Sequence, residues 1–121
     1  MSEKVERVKP IILRMEDGTE YTLEFSRETV RFAEGRGFVI DDVAKFPMTK
    51  VYEFFWYAFR MHHKAISREK TDKIIDEDWG GIGGIPAGVL ERLGQLYAEP
   101  FNTLVDADNG EAKNARVTVE L

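Results

Sequence analysis

Cysteine is absent from all 121 residues, which rules out a disulfide framework and any thiolate metal site. Long apolar runs are lacking too: the longest is Phe54 to Phe59, far below the roughly 18 residues that a bilayer-spanning helix requires. The opening Met1-Ser2-Glu3-Lys4 is charged and has no apolar centre of the kind a signal peptide carries, so a cytoplasmic protein without membrane contact is expected. Excess positive charge is also missing. With 17 Lys and Arg against 22 Asp and Glu the formal charge is -5, which argues against a broad electrostatic surface for nucleic acid. The chain carries no internal repeat and no low-complexity tract. What remains, 43% hydrophobic and 12% aromatic residues, is enough for one domain that buries about two thirds of its unfolded surface.

Two alternating segments open the chain. Ile11, Leu13 and Met15 share one face of an extended strand, and Tyr21, Leu23 and Phe25 share one face of a second, with Glu20, Thr22 and Glu24 on the other. Between them Glu16-Asp17-Gly18-Thr19 supplies a turn in which Gly18 is free to adopt a positive φ. A lone two-stranded hairpin is marginal in water, so following helices are expected to cover one face. Val117 to Leu121 alternates in the same way and is able to add a strand, to its own hairpin or to a neighbour's.

The rest reads as helices. Ser26 is a natural N-cap for a helix stopped at Gly35 and Gly37, and Phe38, Val39 and Ile40 then re-enter the core. A short piece at Asp41 or Asp42 to Lys45 follows. Pro47 opens the longest helix, or Thr49 caps it, with an expected end near Lys64 or Ala65. Its one polar stripe is Glu53, Tyr57, Arg60 and Lys64, and apolar side chains cover most of its circumference. Ser67 caps the next helix, a glycine-rich link runs from Gly80 to Gly84, and a helix bearing Val89, Leu90, Leu93, Leu96 and Tyr97 is expected to break at Pro100. The predicted fold is therefore α+β and mostly α: a hairpin at 9–25 packed on four to five helices within 26–105. A polar, small-residue tail, expected to be flexible, fills 106–121, with strand potential at 117–121.

No constellation completes a chemical motif. His62 and His63 are neighbours about 100° apart on a helix and cannot chelate one ion as a pair at i, i+4 does, so no metal site is expected. Gly80 to Gly84 follows an acidic helix end rather than a strand and has no Lys-Ser/Thr pair, so it reads as a connector, not a phosphate loop. Carboxylates at Asp41-Asp42, Asp76-Glu77-Asp78 and Asp106-Ala107-Asp108 fail the calcium-loop spacing, because Val117 and Ala87 stand where the closing acid belongs. Ser26 and Ser67 sit where caps belong rather than where nucleophiles would. Arg60 to Lys73 is locally basic and by default a solvated face. No catalytic set and no cofactor emerge, so an enzyme is not expected. Aromatic density is the one outlier, with six of the fourteen aromatic residues lying between Tyr52 and Phe59. A domain this small has few elements to wrap such a helix, and a surplus aromatic face suits self-association or a partner helix.

The order of these elements, with Gly37-Phe38-Val39-Ile40-Asp41-Asp42, Met61-His62-His63 and Tyr97-Ala98-Glu99-Pro100-Phe101 as its most specific pieces, resembles the tail assembly chaperones of long-tailed bacteriophages and prophages over about residues 8–105. That resemblance implies a non-enzymatic protein of the infected bacterial cytoplasm, not expected in the mature virion. It would bind the phage tape measure protein, keep it soluble and assist assembly of the tail tube during virion morphogenesis, acting as a homo-oligomer. Nucleic acid is not an expected partner. Helix geometry makes Tyr52, Phe55, Trp56, Phe59 and Met61 the candidate partner-binding face, with Leu93, Leu96 and Tyr97 as a second wall. The alternatives are a minor tail or head-tail connector protein, persisting in virions, and a small phage regulator that binds a host protein.

Overall fold

In the computed structural model, residues 7–110 are described, with side-chain positions through residue 102. Strands β1 (Ile11–Arg14) and β2 (Glu20–Leu23) pair antiparallel, Ile11 facing Leu23 and Arg14 facing Glu20. The turn closes as the local chemistry predicts. Met15 donates its N–H to Thr19 O at 2.8 Å, Gly18 donates to Met15 O at 2.9 Å, and Gly18 sits at φ 94°. The Thr19 N–H donates to Asp17 Oδ1 at 2.9 Å, and this bond is the main cause that holds the Asp17 carboxyl below its usual range.

Helix α1 (Arg27–Gly35) begins at Ser26, whose hydroxyl accepts from Thr29 N at 3.2 Å while Ser26 N donates to Thr29 Oγ1 at 2.8 Å, a reciprocal capping box. It ends at Gly37 alone. With φ at 90°, Gly37 donates to Glu34 O, and Phe38 reaches back to Ala33 O at 3.0 Å; this Schellman closure delivers the Phe38 ring into the core. Gly35, also expected to stop the helix, lies within it.

After the single turn α2 (Asp42–Lys45), α3 (Pro47–Phe59) starts with Pro47 in its first turn, and Thr49 is not its cap. It is shorter than the sequence suggested. Past Phe59 the chain tightens, with Arg60 N donating to Tyr57 O and His62 N to Phe59 O, and this turn sends His62 and His63 back to the hairpin rather than onward to Lys64. Nor is the expected polar stripe solvated throughout: Tyr57 is buried between Phe32 and Phe38, and its hydroxyl donates to Glu53 Oε2 at 2.9 Å.

Helix α4 (Arg68–Lys73) is capped by Ser67, which accepts from Lys70 N at 3.0 Å, and it passes directly into a wider π turn, Ile74–Asp78, that buries Ile74 and Ile75. The glycine-rich link folds as a short 3₁₀ turn, Ile82–Gly84, closed by Gly84 N to Gly81 O. A Cβ at Gly84 would lie 1.6 Å from the Trp79 carbonyl oxygen, so only glycine fits there.

Helix α5 (Val89–Gly110) runs through Pro100 rather than breaking there. The proline's fixed φ is itself helical, so the local cost of roughly 3 kcal/mol is one missing bond and a steric contact. Burial of Leu93, Leu96 and Tyr97 on the preceding turns offsets it. Residues 106–110, assigned to the tail from their composition, continue α5. The remainder of the expected tail, with the strand at 117–121, lies outside the described residues.

One core joins all these elements around α3. The Phe54 ring is stacked between Phe25 and Phe38, each at 5.5 Å, and Tyr97 presents to all three rings at 5.1–5.8 Å. Such ring pairs add about 0.5–1.5 kcal/mol apiece beyond the area they bury.

Candidate functional site

The eight candidate residues do not form one accessible face. Phe55, Phe59, Leu93, Leu96 and Tyr97 are buried in the core, Phe55 against Trp79 and Phe59 against Tyr21. The elements expected to be too few to wrap the aromatic helix suffice, because β2, α1, α2 and α4 pack against it and Tyr97 of α5 meets Phe54. Tyr52 and Trp56 are half-buried and Met61 is at the surface. Tyr52 donates its hydroxyl to Asp76 Oδ1; that bond, followed by desolvation, pushes the phenol up to about 12. The Trp56 indole N–H donates to Ile66 O at 3.1 Å, which ties α3 to the segment leading into α4.

Around Trp56 the surface is cationic rather than greasy. The Arg60 guanidinium lies 4.1 Å from the Phe32 ring centre and 5.4 Å from that of Trp56, and Arg36 lies 5.6 Å from both. Two guanidinium groups thus lie over Trp56, which periodicity alone would leave for a partner.

The adjacent histidines serve the hairpin. His63 Nε2 accepts the Thr22 N–H at 3.0 Å, which requires the ring proton on Nδ1, and His62 Nε2 lies 2.8 Å from Glu24 Oε1. Burial first, and the nearby His62 second, hold the His63 imidazole below the usual histidine range. No group of three or more His, Asp or Glu placed to hold a metal ion occurs among the described residues. None of the described helices is long and apolar enough to cross a membrane.

Exposed large apolar side chains lie elsewhere: Phe46 and Met48 where α3 begins, Ile12 on β1, and Val39 and Phe101 on the seam between α1 and α5, where they border depressions. Phe101 stands as a ridge between two shallow depressions. One, of about 510 Å³, is floored by Phe38 and Tyr97 and walled by Val39, Ile40, Gly94 and Ala98. The other, of about 220 Å³, is walled by Val30, Arg27, Arg31 and Pro100, and Glu34 rims both. Burial of its ring, with the Glu34 carboxylate second, pushes the Tyr97 phenol up to about 12. Gly94 and Ala98 recede, so their turn of α5 admits close approach by another chain. Of the eight candidates only Tyr97 reaches this seam. Val39 and Phe101 were legible as apolar positions, yet nothing in the one-dimensional pattern separates them from the core residues beside them.

A model of the family described as a domain of unknown function, DUF5055, matches residues 1–121, and the chain belongs to that family. No curated protein and no solved structure matches it.

Proposed function

We propose that this DUF5055 chain is a tail assembly chaperone of long-tailed phages, which binds the tape measure protein, keeps it soluble and assists assembly of the tail tube. The observation that carries the reading is the Phe101 ridge: an exposed aromatic side chain between two depressions, with Val39 and Ile40 beside it and Arg27, Arg31 and Glu34 at the rim. An amphipathic helix is read through apolar anchors spaced three and four residues apart, and two shallow depressions flanking a ridge suit such anchors. Shallow apolar walls with a charged rim hold many similar segments without selecting one, as a long helical client demands. The resemblance of the chain over about residues 8–105 supplies the identity of that client. The same reading makes the protein non-enzymatic, resident in the bacterial cytoplasm and scarce in the finished virion.

Coexpression with the tape measure protein encoded nearby, followed by size-exclusion chromatography with light scattering, tests it. A soluble co-eluting complex is expected, together with an insoluble tape measure when that protein is expressed alone. Phe101→Asp and Val39→Asp should abolish the complex while the far-ultraviolet circular dichroism stays unchanged. A folded chaperone beside an aggregated tape measure would overturn the proposal.

A further inference from the structure

The two edges of the hairpin differ in a way the sequence does not show. The Met15 N–H to Thr19 O bond sets the alternation, so Ile11, Leu13, Tyr21 and Leu23 bond across the hairpin while Ile12, Arg14, Glu20, Thr22 and Glu24 point their backbone groups outward. On β2 two of the three outward donors are taken, Thr22 N–H by His63 Nε2 and Glu24 N–H by Ala58 O at 3.0 Å, which leaves only Glu20, beside the turn, without a partner among the described residues. On β1 the outward N–H and C=O groups of Ile12 and Arg14 meet no partner among the described residues. That open edge forms one side of a cleft of about 540 Å³, whose other side is Ile74, Asp78, Trp79, Pro86 and Val89. An edge whose backbone groups are left uncovered is a template for another strand.

We propose that the β1 edge takes the segment Arg116–Leu121 of a second copy of this chain, so that the protein self-associates by exchanging its C-terminal strands. Three observations select this occupant. The segment alternates, with β-branched residues at Val117, Thr118 and Val119, as a strand added to an edge must. Laid antiparallel with Val117, Val119 and Leu121 opposite Met15, Leu13 and Ile11, its apolar side chains join the half-buried face of β1. In that register Arg116 falls opposite Glu16, and Glu120 lies diagonal to Arg14.

Length then separates self from neighbour. Val89 walls the cleft, and α5 carries the chain from there to Gly110 over 21 steps, about 31 Å at 1.5 Å per residue. The six steps from Gly110 to Arg116 return at most about 20 Å when fully extended, too short to reach the same molecule's cleft. A neighbour's cleft is under no such limit, and reciprocal exchange closes the pair. The chaperone resemblance implies a homo-oligomer and does not say how it forms; the two proposals stay distinguishable, because self-association and tape measure binding are measured separately.

The experiment is light scattering on the full chain, with amide hydrogen exchange followed by NMR, on the wild type, a Val117→Asp/Val119→Asp double variant and Ile12→Pro. Ile12→Pro removes an outward N–H without touching the ladder to β2. The wild type is expected at a mass above one chain, with the Ile12 and Arg14 amides protected. Both variants should raise the dissociation constant about tenfold or more. The double variant should also expose the Ile12 and Arg14 amides, and Thr22 and Glu24, capped from within the monomer, should stay protected and so report an intact fold. A wild type of single-chain mass at the highest soluble concentration overturns the proposal, whether its Ile12 and Arg14 amides are protected or not. So does an oligomer whose mass is unchanged in the double variant.

Discussion

Phe54 and Phe101 are the same residue type on helices that share one core, yet Phe54 is 2% exposed and Phe101 45%. Phe54 lies in the middle of α3 with Phe25, Phe38 and Tyr97 around it. Phe101 lies one turn beyond Tyr97, the last buried side chain of α5 among those described, and among the described residues its one aromatic neighbour is the Tyr97 ring at 6.3 Å. Clustered aromatics are therefore the poorer guide to a binding face in this chain. Where they are dense they bury one another, and the large apolar side chains left exposed, Phe46, Met48, Val39 and Phe101 among them, stand outside the cluster.

The contrast can be broken from the buried side first. Phe54→Ala should destabilise the protein by about 3–5 kcal/mol, because it removes the middle ring of a stack and leaves a cavity that rigid helices cannot close. Urea unfolding monitored by circular dichroism measures this, and a loss below about 1 kcal/mol would mean the stack is looser than described. Gly84→Ala comes next. The added methyl must displace the Trp79 carbonyl, a backbone atom that cannot rotate away, so a loss of about 1–3 kcal/mol is expected by the same assay.

A smaller effect should follow from pH. Burial, and then the nearby His62, hold the folded-state His63 imidazole below its ordinary value of about 6.5, and in the neutral form its Nε2 accepts the Thr22 N–H. Above that value both folded and unfolded chains carry a neutral ring and the contribution is constant. As pH falls below about 6.5, the unfolded chain binds a proton the folded chain resists, so stability declines until the lowered folded value is passed. His63→Gln should flatten this part of the stability profile between neutral and mildly acidic pH, and an unchanged slope would assign it to other groups. The smallest change in stability is expected at the other end of the comparison. Phe101→Asp, on an open ridge, should alter unfolding by no more than about 0.5 kcal/mol while removing partner binding. A large loss of stability there would make Phe101 part of the core after all.

Local chemistry was readable residue by residue. The alternation of Ile11, Leu13 and Met15, the Gly18 turn, the Ser26 and Ser67 caps and the Pro47 start all appear where the sequence places them, since each depends on groups within a few positions of one another. Features set by distant partners were not readable. The end of α3 at Phe59 belongs with the Thr22 and Glu24 contacts of His63 and His62, some 40 positions away in the chain. The passage of α5 through Pro100 reflects packing against β1 and α1, which outweighs a local helix-breaking preference. The candidate binding face failed to assemble for the same reason. Periodicity says which side of a helix is apolar, and only the number and placement of neighbouring elements say whether that side is already filled.

The sequence by itself determined the class of fold, the positions of the caps and turns, and the excess of apolar side chains over what one helix face can bury, because these follow from short-range sterics and from composition. The tertiary structure alone decided which of those side chains are spent on the core, which arginines shield Trp56, and which edge of the hairpin is left open, because each is settled by contacts between residues far apart in the chain.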